Sequence, residues 1–241
     1  MDPLAQTGDA AFQDTQPSLV ALVAKPGAAG YREAWETFFR GYWPPLYSWL
    51  RRTGSTREQA LDVLQDFFIR GLEGKFLSHF DAERGRFRTF LLTCLANDRK
   101  KALRRDRSRP DRRAPQFLSP ADEQALADPR AGDPDAEFEA EWIRLVGGRA
   151  RKSLEERLAR LSDRISTRLL AEWVLADERP SGAALAKELG ISSGDLYTRA
   201  TRLRQAFATE VEKQVRLYSD EVAADRDRVL AAMLERRPKG T

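Results

Sequence analysis

The chain has 241 residues, 32% of them charged, with a net charge of +4 and a mean hydropathy of −0.57. That length suits one large domain or two small ones, and no apolar run approaches the roughly 18 residues of a membrane helix. One cysteine, Cys94, and one histidine, His79, exclude an internal disulfide and argue against a zinc site.

The opening MDPLAQTGDAAFQDTQ lacks a basic stretch followed by an apolar h-region, so no signal peptide is expected. Cys94 then reads as a reduced core residue of a cytoplasmic protein. The charge is unevenly spread. Basic residues crowd positions 84–113, an acidic stretch follows at 121–141, and RATRLR forms a second basic cluster near residue 200. Two modules for a polyanion, joined by an acidic connector, fit this order.

Residues 1–30 read as an arm with one short helix at SLVALVA. From Tyr31, the residues Trp35, Phe38, Phe39 and Tyr42 recur at helical spacing. Pro44 and Pro45 are expected to interrupt that helix and to seed another through LYSWLRR, ended by Gly54. Ser55 with Glu58 three residues later predicts a capping box that opens STREQALDVLQDFFIRGLEG. On that helix Asp62, Gln65 and Asp66 share one face, either as a solvated patch or as a docking surface.

The loop FDAERGR leads into FRTFLLTCLANDRKKALRR, a helix with an apolar stripe and a dense basic face. The basic residues suit nucleic-acid phosphates, a solvated surface or anionic lipid. Phe87, Phe90, Leu91 and Leu95 are spaced as core, whereas Asn97 in mid-helix is mildly disfavoured by propensity. Prolines 110, 115, 120, 129 and 134 mark a flexible acidic linker, assigned to 107–140.

Helical periodicity resumes with Leu154, Leu158, Leu161, Ile165 and Leu169. In SGAALAKELGISSGDLYTRATRLRQAF, Gly190 supplies a tight turn and Ser192 caps a second helix, with Asp195 reaching back. Leu196, Ala200 and Leu203 face inward on that helix. Tyr197, Thr198, Arg199, Thr201, Arg202 and Arg204 face out. This is a helix-turn-helix pattern suited to the major groove; an ordinary helical hairpin with a basic face is the other reading. A tail with Val211, Val215, Tyr218, Val222, Val229 and Met233 is expected to be helical.

The segment GISSGDLYTRATRLRQAF resembles region 4 of the extracytoplasmic-function (ECF) sigma factors of the sigma-70 family. ALDVLQDFFIR resembles their region 2.2, and FRTFLLTCLANDRKKALRR their regions 2.3 and 2.4. The first helix of the region 4 motif departs from the family, reading SGAALAKEL with fewer acids.

The resemblance implies an all-α chain of two small helical domains, region 2-like over 31–106 and region 4-like over 141–210, with a helical extension over 211–241. It implies that Asp62, Gln65 and Asp66 dock on core RNA polymerase. It places minus-10 contacts at Phe80, Phe87, Arg88, Asn97, Arg99, Lys100, Lys101, Arg104 and Arg105. Minus-35 contacts would fall to Ser193, Tyr197, Thr198, Arg199, Arg202 and Arg204.

The partners implied are core polymerase and promoter DNA, with an anti-sigma factor or a regulatory kinase as further candidates. No cofactor, metal, membrane insertion or enzymatic activity is expected, since no paired carboxylates, nucleophile-base pair or phosphate-cradling glycine loop stands out. A free-standing helix-turn-helix regulator and a decoy that binds polymerase without opening promoters are the rival readings.

Overall fold

The computed structural model describes residues 19–25, 27–106, 133–219 and 221–234. Every regular element among them is helical, and the fold is all-α. The arm before residue 19 and the linker over 107–132 lie outside the described residues. The chain forms two compact units. Among the described residues, one comprises positions 19–142 together with Leu217–Glu221; the other comprises Ile143–Arg216 and the chain from Val222.

The first unit contains α1 (Leu19–Val23), α2 (Tyr31–Arg52), α3 (Arg57–Leu72) and α4 (Phe87–Asp106). It also takes in the first residues, 134–142, of α5 (Pro134–Arg160). Helix α2 packs against α1 and α3, and α3 against α4. An aromatic core joins them. Phe38 is fully buried, with the rings of Trp35, Tyr42, Phe68 and Phe87 all centred within about 6 Å of it.

Contrary to the sequence expectation, α2 runs unbroken through Pro44 and Pro45. Each proline forfeits a helical hydrogen bond, at a cost of up to about 3 kcal/mol. Leu46 and Leu50 beyond them are fully buried in register with Phe38 and Tyr42, and such burial contributes about 1.5–3 kcal/mol per side chain. Tertiary packing outweighs the local preference.

The cap of α3 also differs by one residue. Thr56 is the N-cap: its hydroxyl accepts from the Gln59 amide, and Gln59 accepts from the Thr56 amide. Ser55 is buried instead, its hydroxyl accepting from Arg99 Nε at 3.0 Å. The loop before α4 holds two short 3-10 turns, Leu77–His79 and Ala82–Arg84, and Gly85 leaves it at φ 136°. That value is open to glycine and strained for other residues.

Residues 134–140, expected as linker, are the first turns of α5, with Phe138 and Trp142 buried in the first unit. An N-terminal proline followed by Asp135 and Glu137 is a helix-start pattern, which the acidic composition concealed.

In the second unit α5 buries Val146, Ala150, Leu154 and Leu158, one side chain per turn. It ends at Arg160, and Ser162 turns the chain with a φ of 55°. Then come α6 (Arg164–Leu169), a π-turn (Leu170–Val174), α7 (Gly182–Leu189), α8 (Ser193–Tyr218) and α9 (Val222–Leu234). Helix α8 passes through the expected boundary at 210 without a break, burying Leu196, Ala200, Leu203, Phe207, Val211 and Val215 on one stripe. Glu210, buried on that stripe, accepts from Ser153 and pairs with Arg157 and Lys213. The tail is helical as expected and falls into the end of α8 and all of α9, which Ser219–Glu221 separates.

Candidate nucleic-acid interface

Helix α3 buries Leu61, Leu64, Phe67 and Phe68 and turns Asp62 and Asp66 to the surface, with Gln65 half-buried between them. The outward face continues into Ile69, 47% exposed, and Leu72, 51% exposed. It is therefore acidic at one end and apolar at the other. Arg70 does not pair along the helix; it meets Asp98 of α4 and lies 5.7 Å from the Phe76 ring centre. Ile69 and Leu72 escaped the sequence reading, although both fall off the buried stripe, which was the available signal.

Helix α4 presents two faces with different surroundings. Phe90, Cys94, Asn97 and Lys101 follow one another at helical spacing. Asn97, Lys100, Lys101, Arg104 and Arg105 are exposed, and Phe90 and Cys94 are half-buried. Phe80, half-buried in the preceding loop, sits 5.0 Å from the Phe87 ring and 5.5 Å from the Phe90 ring. Burial pushes the Cys94 thiol pKa up, while the Arg70 and Lys101 charges oppose that shift.

Three residues expected at the minus-10 surface are engaged inward. Phe87 is 1% exposed and belongs to the aromatic core. Arg88 is 2% exposed. Its Nε and Nη2 donate to the two carboxylate oxygens of Glu139 at 2.9 and 3.1 Å, and its guanidinium lies 4.0 Å from the Trp142 ring centre. Arg99 donates to Ser55 Oγ and the Thr53 carbonyl, closing the α2–α3 turn. Spacing alone gives helical phase but not which arginine an acidic partner will claim, and Glu139 lies 51 residues from Arg88.

In the second unit Gly190 adopts φ 67° between α7 and α8, as a tight turn requires. The Ser192 hydroxyl accepts from the Asp195 amide at 3.1 Å and donates to the Asp195 carboxylate at 2.7 Å. The cap is as expected, except that the Asp195 carboxylate takes the serine hydroxyl rather than a backbone amide. Ser193, Tyr197, Thr198 and Arg202 are exposed, and Arg199 and Arg204 half-buried. Arg199 lies 3.8 Å from Asp163. Tyr197, 56% exposed, stands edge-on to Trp173 of the π-turn at 6.1 Å. A Cβ at Gly182 would lie 3.0 Å from the Tyr197 hydroxyl, so the missing side chain leaves room for that ring.

Among the described residues no three His, Cys, Asp or Glu side chains gather as a metal site would require, and no helix is long and apolar enough to cross a membrane. Residues 38–109 match the family model for sigma-70 region 2. No curated protein matches the chain, and no solved structure does. The matched segment runs from α2 beyond the end of α4. It contains the Asp62, Gln65 and Asp66 face and every residue from Phe80 to Arg105, while the α7–α8 residues lie outside it. The chain thus carries a segment like sigma-70 region 2, the part of a transcription initiation factor associated with polymerase binding and minus-10 recognition.

Proposed function

We propose, with the region 2 match as premise, that the chain is an alternative sigma factor of the ECF kind. It docks on core RNA polymerase through Asp62, Gln65 and Asp66, with Ile69 and Leu72 extending the contact. Phe80 and Asn97 take the unstacked minus-10 base by stacking and edge recognition, and Lys100, Lys101, Arg104 and Arg105 follow the phosphates. Ser193, Tyr197, Thr198, Arg199, Arg202 and Arg204 read the minus-35 element in duplex form. The protein promotes promoter opening in the cytoplasm, and the polymerase does the chemistry.

The observation that carries this reading is the pairing of two outward faces inside the matched segment. One is acidic and apolar, on α3; the other is aromatic, amide and basic, on α4. The test is co-elution of the purified chain with bacterial core polymerase, beside an Asp62→Ala/Gln65→Ala/Asp66→Ala variant. Binding by the parent and its loss in the variant are expected. If neither binds while the parent retains duplex DNA, the protein is a free-standing helix-turn-helix regulator.

A further inference from the structure

The first turns of α5 meet the first unit through charge as well as packing. Glu139 holds Arg88, Glu137 lies 3.5 Å from Arg52, and Asp135 accepts from Trp49 Nε1 at 2.7 Å. Phe138 and Trp142 on the same turns are buried, with Trp142 under the Arg88 guanidinium.

The surroundings of Arg88 have a chemical parallel. Glu139 offers a forked anion to two guanidinium nitrogens, and Trp142 offers a flat aromatic ring to the guanidinium plane. A nucleotide offers an arginine the same pair of groups, a phosphate and a base. A purely structural contact would be served as well by apolar side chains, because an ion pair whose arginine is buried adds little net stability over a hydrophobic pair, and the Glu139 side is 34% exposed. A charged pair can instead be exchanged for another anion.

We infer that the face of α2 and α4 carrying Trp49, Arg52 and Arg88 is a binding surface for single-stranded nucleic acid, which residues 134–142 occupy in its place. This rests on α4 being a nucleic-acid helix and not on polymerase binding. Exchange brings Phe138 and Trp142 out of the core, so the covered form is the resting state. The strand then gains two arginines, Arg52 and Arg88, that the outer face of α4 does not supply.

The test is fluorescence anisotropy of a labelled oligothymidylate with the intact chain across a salt series. An Asp135→Asn/Glu137→Gln/Glu139→Gln variant is compared with a Glu33→Gln/Glu36→Gln/Glu73→Gln control that removes the same charge from exposed positions of the same unit. The first variant is expected to bind about tenfold tighter than the control, with a salt slope steeper by about 1.4, the value for two more single-strand phosphates. Adding Arg52→Ala/Arg88→Ala should abolish that gain. Equal binding by the two charge variants, or a gain that survives loss of both arginines, overturns the proposal. Should the first variant fail to fold, hydrogen exchange on the parent decides. Amides of 134–142 must lose protection at saturating oligothymidylate, and unchanged protection overturns the proposal. A failure of polymerase co-elution would leave each of these outcomes readable.

Discussion

Side chains that were ambiguous as letters separate once their partners are known. Ser55 and Thr56 are adjacent hydroxyls, but Thr56 caps α3 while Ser55 anchors Arg99. Thr56→Ala should destabilise the fold by about 1 kcal/mol, read from urea denaturation, since it removes the side-chain acceptor for the Gln59 amide. Cys94 supplies a pH-dependent counterpart. Its folded pKa is raised by burial, so it holds its proton more tightly folded than unfolded. The stability it contributes is intact below the unfolded thiol pKa and is lost as pH rises through the folded value. Alkylation of native Cys94 by iodoacetamide should therefore lag that of the urea-unfolded chain at mildly alkaline pH, and the gap should narrow as pH rises further.

The helices were legible wherever one apolar stripe decided them. Leu154 and Leu158, or Leu196, Ala200 and Leu203, sit at the spacing and depth their pattern predicts. The sequence reading failed where a long-range partner overrode a local rule. Pro44 and Pro45 are strong local breakers, yet Leu46 and Leu50 carry α2 past them. The start of α5 reads as linker because its acids suggest solvation, whereas their partners Arg52 and Arg88 lie far away in sequence. The candidate site divides in the same way. The exposed residues of α3 and α8 follow from helical phase, but the inward turn of Arg88 and Arg99 does not. Because Pro44 is half-buried and breaks no cap, Pro44→Ala should restore a helical hydrogen bond. It should raise stability by up to about 3 kcal/mol, measured by thermal and urea unfolding.

At the scale of the molecule, the segment matching sigma-70 region 2 ends before the residues that complete its core. Phe138, Trp142 and Tyr218 all lie beyond residue 109 and are buried in the first unit. A fragment of residues 19–142 should be more stable to urea than one of 19–109 by about 3–6 kcal/mol, from burial of Phe138 and Trp142 alone. Equal stability of the two would show that the matched segment closes its own core. Tyr218 extends the point. Its ring lies against Gly41, where a Cβ would overlap it, and its carbonyl accepts from the Tyr42 hydroxyl across 176 residues. At about 5–20 residues per second, the ribosome needs about 10–35 seconds after making Tyr42 to deliver that partner. For that interval the N-terminal unit waits on the nascent chain with part of its aromatic core uncovered, a window open to chaperones that the finished protein no longer offers.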